Sequence, residues 1–187
     1  EEDAQIEAAT LETAPPRADA LALEKQLLDE MTEIAGAARG LPDARVRELL
    51  DWNRQAMCQD VPPHGAVHAP STASPNDTRI LIFTEYDDTK RYLQQQLMAA
   101  IATTHRAAER IAVYHGPTSR ADREEIKRAF TTDPRKHPLR ILIATDAARE
   151  GLNLQTHCWN LFHFDVPWNP SRLEKRNGRI DRKLQPN

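Results

Sequence analysis

Apolar positions along the chain change their period once, and the change divides it. From Asp19 onward Leu23, Leu27, Met31 and Ile34 recur at spacings of three and four, one face of a helix, with Gly36 and Gly40 marking its end. A second helix is predicted over PDARVRELLDWNRQAM, where Pro42 and Asp43 suit the first turn and Val46, Leu49, Leu50 and Met57 form a stripe. These helices make a helical lead-in over residues 1–58, expected to pack on each other or on the domain that follows. Its first eighteen residues are acidic, Ala-rich and broken by Pro15 and Pro16, which predicts a frayed start. The stretch from Asp60 to Asp77 holds four prolines and no apolar period, so residues 59–78 read as a linker or long surface loop.

Beyond it, short apolar runs alternate with amphipathic ones. RILIFTE (79–85), RIAVYHG (110–116), RILIATD (140–146) and CWNLFHFD (158–165) read as strands. Between them YDDTKRYLQQQLMAAIA reads as a helix with Tyr92, Leu93, Leu97 and Ile101 inward. SRADREEIKRAF is another, with Ser119 and Asp122 resembling a capping box, and PSRLEKRNG begins a further one. Alternation of this kind predicts an α/β fold, a parallel sheet with helices on both faces, over residues 79–187. Ligands of such sheets gather at the carboxyl ends of the strands. Thr84, Glu85, His115, Gly116, Thr145, Asp146 and Asp165 fall at those ends.

Charge sharpens the division. Residues 1–60 carry 14 acidic and 6 basic side chains, whereas the last eighteen residues carry 6 basic and 2 acidic. A basic tail suits contact with a polyanion. No apolar run approaches transmembrane length, and EEDAQIEAAT has neither the positive nor the apolar region of a secretory signal. Cys58 and Cys158 make no disulfide framework, so a reducing, cytoplasmic setting is expected. The chain starts without Met, and a fragment of a longer protein is expected.

The sharpest candidate for chemistry is RNGRIDR (176–182). Arg176, Arg179 and Arg182 recur every three residues around Gly178, at a helix start or a tight turn into one. On a helix that spacing keeps guanidiniums on one side, and their planar forks meet phosphate oxygens in pairs. The plainer alternative is a solvated basic surface paired with Glu174 and Asp181. LLDEMTE places Asp29 and Glu30 inside the first amphipathic helix, where they read as a solvated face. No Gly-Lys pair occurs in the 187 residues, so no P-loop is present in them. His64 and His68 lie in a Pro- and Gly-containing loop without further ligands, which speaks against a metal site. His157 and Cys158 read as strand entry, and Trp159, Phe162 and Phe164 as sheet core. Trp168, between Pro167 and Pro170, reads either as packing or as contact with a nucleic-acid strand.

Taken in order, ILIFTEY, VYHG, ILIATDAAREGLNLQ and DVPWNPSRLEKRNGRIDR resemble the second RecA-like domain of superfamily 2 helicases and translocases. The wording is closest to the Swi/Snf-type branch and, within it, to bacterial RapA-like ATPases; RIDRKLQP also resembles helicases of the DISARM phage-defence type. The resemblance covers roughly residues 79–187, a domain that it would leave truncated after motif VI. It implies the C-terminal motor lobe of an ATP-dependent helicase or translocase, working on nucleic acid, with double-stranded DNA the favoured substrate. ATP with Mg would be bound mainly by an N-terminal RecA-like lobe of the same protein, and this chain alone would hydrolyse nothing. By the same resemblance Thr84 and Glu85, His115 and Gly116, and Thr145 would line the nucleic-acid groove. Glu150, Gly151 and Asn153 would sit between strand and nucleotide, with Lys175 and Arg176 also on the nucleotide side. Arg179 and Arg182 would be arginine fingers at the γ-phosphate. Lys175 stands where the family usually has Gln, keeping a donor without the acceptor. Gly151 would permit close backbone approach. Glu85, His115, Thr145, Gly151 and Arg179 are expected along one face. The competing expectation is a catalytically degenerate lobe that only binds nucleic acid or protein.

Overall fold

The computed structural model describes residues 18–38, 40–58, 74–146, 154 and 156–181. Glu150, Gly151, Asn153 and Arg182, the His64–His68 pair and most of the proline-rich stretch lie outside the described residues. Two compact units divide the chain between Leu41 and Pro42.

The first unit contains helix α1, Ala18–Ala38. It runs through Gly36 and stops before Gly40, whose φ of 84° is the left-handed geometry that ends helices and favours glycine. Leu23, Leu27, Met31 and Ile34 form the anticipated stripe, and all four side chains are exposed.

The second unit opens with α2, Ala44–Ala56. Asp43 is its N-cap rather than part of its first turn: the carboxylate accepts the Val46 N–H at 2.8 Å. Then follow β1 (Ile80–Thr84), α3 (Asp87–Ile101), a 3₁₀ turn (Ala107–Glu109), β2 (Ile111–Tyr114), α4 (Arg120–Thr131), β3 (Ile141–Thr145), β4 (Asn160–His163) and α5 (Pro170–Asn177). The four strands form one parallel sheet in the order β2-β3-β1-β4. This is the expected α/β architecture, a parallel sheet with helices on both faces.

Register explains why the two central strands, β3 and β1, carry apolar residues on both sides. Leu81 pairs with Leu142 and Leu161, and Ile82 with Ile143 and Phe162, so same-parity side chains line up across the sheet. One set, with Leu81, Phe83, Leu142, Ala144 and Tyr114, packs against Ala129 and Phe130 of α4. The opposite set, with Ile80, Ile82, Ile141, Ile143 and Phe164, packs against Val46 and Leu49 of α2 and Leu93 and Leu97 of α3. Full burial of each such side chain is worth roughly 1.5–3 kcal/mol, so a strand covered on both faces must be an unbroken apolar run. The stripe of α2 therefore packs on the sheet. Its position is also held by polar contacts: the Asp43 N–H donates to the Tyr92 hydroxyl of α3 at 2.8 Å. The Arg45 guanidinium lies 4.6 Å from the centre of the Phe164 ring.

Ser119 caps α4 as anticipated, its hydroxyl accepting the Asp122 N–H at 3.1 Å. The return contact differs from a full capping box, because the same hydroxyl donates to the Asp122 carboxylate at 2.7 Å. Among the described residues no helix is long and apolar enough to cross a membrane.

Candidate nucleotide and nucleic-acid edge

Thr84, His115, Thr145 and Asp165 do come together at the carboxyl ends of the four strands, because parallel pairing brings all four ends to one edge. Asp165, just beyond β4, organises the edge of β1. Its carboxylate accepts the Thr84 hydroxyl at 2.5 Å and the Glu85 N–H at 2.9 Å to each oxygen. Thr84 is therefore fully buried, its side chain turned to Asp165, while Glu85 is half-buried and holds Arg172 of α5 at 2.8 Å.

Arg176 lies at the centre of this arrangement with no exposed surface. Its Nε donates to Asp146 at 2.8 Å, and its terminal nitrogens donate to the Asp165 carbonyl at 2.6 Å and carboxylate at 3.3 Å. The guanidinium carbon sits 5.4 Å from the centre of the Phe83 ring. One side chain thus ties α5 to the ends of β1, β3 and β4. A guanidinium is suited to this, since its five donors lie in one rigid plane.

The RNGRIDR segment differs from expectation in its local geometry. It closes a helix instead of starting one: α5 begins at Pro170, capped by the Asn169 side chain accepting the Ser171 N–H, and Gly178 follows its last residue. Gly178 donates its N–H to the Glu174 carbonyl, and a Cβ there would stand 3.4 Å from that oxygen. Because α5 ends at Asn177, Arg176 and Arg179 do not share one helix face: Arg176 points into the protein and Arg179 belongs to the turns after the helix. Arg179 is half-buried, and its carbonyl accepts the N–H of the buried Leu154 at 3.2 Å. That bond joins the tail of ATDAAREGLNLQ to RNGRIDR. Lys175 is exposed on α5.

A second cluster stands at the end of β2. Lys90, buried on α3, donates to Asp87 at 2.6 Å and lies 3.1 Å from His115 Nδ1. An ammonium has only donors, so Nδ1 accepts and the ring proton belongs on Nε2. Asp87 has its pKa lowered, chiefly by the hydrogen bond from Lys90. Arg123 of α4 completes the loop: it donates to the Gly116 carbonyl at 2.6 Å and the Thr118 carbonyl at 2.8 Å, 5.5 Å from the Tyr114 ring centre.

Two aromatic expectations change. Trp159 is 62% exposed and stands outside the sheet core, since it precedes β4 at the sheet margin, while Phe164 is buried and Phe162 partly so. Trp168 is wholly exposed and packs against none of the described residues. With Tyr86 and Val166 it places exposed apolar surface just past β1 and β4. Asp165 stands at the strand end expected of it, whereas Lys90 is not among the expected residues, although it continues the 93–97–101 stripe backward and is thus legible as inward-facing. Among the described residues no group of three potential ligands could hold a metal ion.

This architecture has relatives. A family model described as "Helicase conserved C-terminal domain" matches residues 68–183. An uncharacterized ATP-dependent helicase YqhH of Bacillus subtilis is 37% identical over 106 residues, 57% of this chain and 17% of that protein. RNA polymerase-associated protein RapA of Yersinia enterocolitica is 36% identical over 77 residues, 41% of this chain and 8% of that protein. The chain thus spans under a fifth of the length of these relatives. Among solved structures, the Pyrococcus furiosus Hef helicase domain aligns at 17% identity and a TM-score of 0.49, covering 87% of this chain and 27% of that one. The C-terminal part of the Fun30 ATPase domain aligns at 22% identity and 0.46, covering 59% and 32%. With its motifs at one sheet edge and a family match across most of its length, the chain belongs to the helicase conserved C-terminal domain family.

Proposed function

We propose that this chain is the C-terminal motor lobe of a Swi/Snf-type, ATP-dependent translocase acting on double-stranded DNA. Arg179 and Arg182 are its arginine fingers, completing a nucleotide site whose other wall is an N-terminal lobe. The observation that carries the reading is the pairing of two motifs, with Leu154 bonded to the backbone of Arg179, inside a domain of helicase family. It supports a hinge-like edge at which nucleic-acid grip and finger position change together.

The residues present suit part of the ligand. With no Gly-Lys pair in the sequence, the chain has no cradle for β- and γ-phosphates, whereas cations after α5 suit an anion brought from the other lobe. ATP with Mg, when bound, would supply a phosphoryl group for transfer to water. Arg179 and Arg182 would face that group and neutralise charge developing on it, a contribution worth about 10³–10⁵ in rate for such fingers. By the family resemblance Glu150, Gly151 and Asn153 would serve the boundary between nucleotide and strand, and Lys175, exposed on α5, would offer a further cation. Arg176 acts differently: it holds Asp146 and Asp165 and thereby sets the angle of α5, which positions Arg179. Glu85, His115, Gly116 and Thr145 flank the DNA backbone, Thr84 fixes that edge through Asp165, and exposed Trp168 offers a stacking face.

The deciding experiment uses the polypeptide that carries both lobes. Arg179→Ala should lower DNA-stimulated ATP turnover by at least about a hundredfold while nucleotide affinity changes little. Unchanged turnover would remove the finger assignment and favour a degenerate binding module.

A further inference from the structure

Three strands begin with the same dipeptide, Arg79-Ile80, Arg110-Ile111 and Arg140-Ile141, and the register places these arginines side by side at the amino-terminal edge of the sheet. That edge is opposite the one carrying the helicase motifs. All three side chains are at least nine-tenths buried, at 0%, 4% and 6% exposure. Buried like charges on neighbouring strands repel, and the cost of burying them is offset only where acceptors take their donors.

Two of the three are satisfied. Arg79 donates to the carbonyls of Ala129, Phe130, Thr132 and Leu139 at 2.5–3.2 Å, closing the carboxyl end of α4. Arg140 donates to the carbonyls of Asn76, Pro134 and His137 at 2.6–2.8 Å and stands 3.8 Å from Asp77. Arg110 makes one bond, from Nε to the His105 carbonyl at 2.7 Å, and its terminal nitrogens have no partner among the described residues.

Those nitrogens belong to a residue lining a cavity of about 190 Å³, together with Arg106, Arg135, Lys136 and Arg140. Glu109 balances Arg106, Asp133 balances Arg135, and Asp77 stands beside Arg140. Arg110 and Lys136 remain as the cationic surplus. Two further signs agree. Arg106 adopts a left-handed φ of 56°, the one positive-φ residue other than glycine among the described residues. The pKa values of Arg110 and His137 are lowered first by burial and then by neighbouring guanidiniums, Arg140 acting on Arg110 and Arg79 and Arg106 on His137, and it is this second cause, a positive field, that suits an anion.

We propose that this cavity is a second anion site, which binds a compact phosphate-class ligand through the free fork of Arg110 with Lys136 at its rim. The volume is below the several hundred Å³ of nucleoside-sized pockets and fits one or two linked phosphates. The source is either a free oligophosphate or the terminal phosphate of a nucleic-acid strand; the chemistry recognised is the same.

The probe is inorganic pyrophosphate, titrated calorimetrically into the 187-residue chain at fixed ionic strength. Saturable binding at one site is expected, weakened at least about tenfold by Arg110→Gln, the loss expected for a charge-assisted pair. Arg135→Ser with Lys136→Ser, both at exposed positions, should weaken it severalfold without altering the fold. If Arg110→Gln does not fold, the double variant decides alone. Arg179→Ala should leave this binding unchanged, which separates the site from the proposed finger. Competition by a 5′-phosphorylated but not a 5′-hydroxyl oligonucleotide identifies a strand end; competition by neither identifies a free oligophosphate. Absence of saturable binding, or wild-type affinity in the double variant, overturns the proposal.

Discussion

Replacing Arg176 by Met should cost the fold about 4–6 kcal/mol. The side chain has no exposed surface and satisfies Asp146, itself only 7% exposed, and Asp165. Methionine fills comparable space, so little of the loss would come from a cavity. What remains is a buried carboxylate deprived of its guanidinium at Asp146, and removing one partner of such a pair typically costs about 3–5 kcal/mol. The Asp165 carbonyl also loses a 2.6 Å donor, worth about 1 kcal/mol. A second variant, Arg176→Met with Asp146→Asn, removes the carboxylate charge that Arg176 faces and should recover about half of the deficit. Arg176→Lys should fall between wild type and Met, since an ammonium keeps the charge but cannot span three acceptors. Urea denaturation followed by far-UV circular dichroism measures all three. A loss under about 1 kcal/mol in Arg176→Met, or no recovery in the double variant, would refute the view that this arginine is a structural tie between α5 and the strand ends.

Other outcomes follow from single contacts. Burial pushes the Cys158 thiol up to about 12, so native protein at pH 8 should leave it unlabelled by iodoacetamide while urea-unfolded protein is labelled; mass spectrometry reads the site. Asp43→Ala removes the N-cap of α2 and should cost about 1 kcal/mol in the same urea assay, with Asp43→Asn close to wild type. The His137 pKa is lowered by burial and by the Arg79 charge, and its Nδ1 accepts the Leu139 N–H. Its neutral form therefore stabilises the fold above pH 6.5, and that contribution is lost as pH falls below 6.5 toward the lowered value. The urea midpoint of His137→Gln should accordingly fall less than that of wild type between pH 7 and pH 5.

Much of this molecule was legible from residue order. The runs ILIF and ILIA that open β1 and β3 are apolar at four successive positions, as a strand buried on both faces requires, and Ser119 marks a helix start where a cap belongs. Residue types also announced which edge carries chemistry, because polar residues followed each run on the same side. Tertiary structure alone decided what individual charges do. Arg176, Arg179 and Arg182 are equivalent in sequence spacing, yet α5 stops at Asn177, so Arg176 turns inward to two carboxylates while Arg179 follows in the turn. Arg79, Arg110 and Arg140 open their strands identically, and only the carbonyls supplied by α4 and by the segment before β3 distinguish the two satisfied ones from the third. The physical reason is common to both sets. Periodicity reports whether a position is buried, but the partners of a buried charge come from segments distant in the chain, and no local pattern records which donors they leave open.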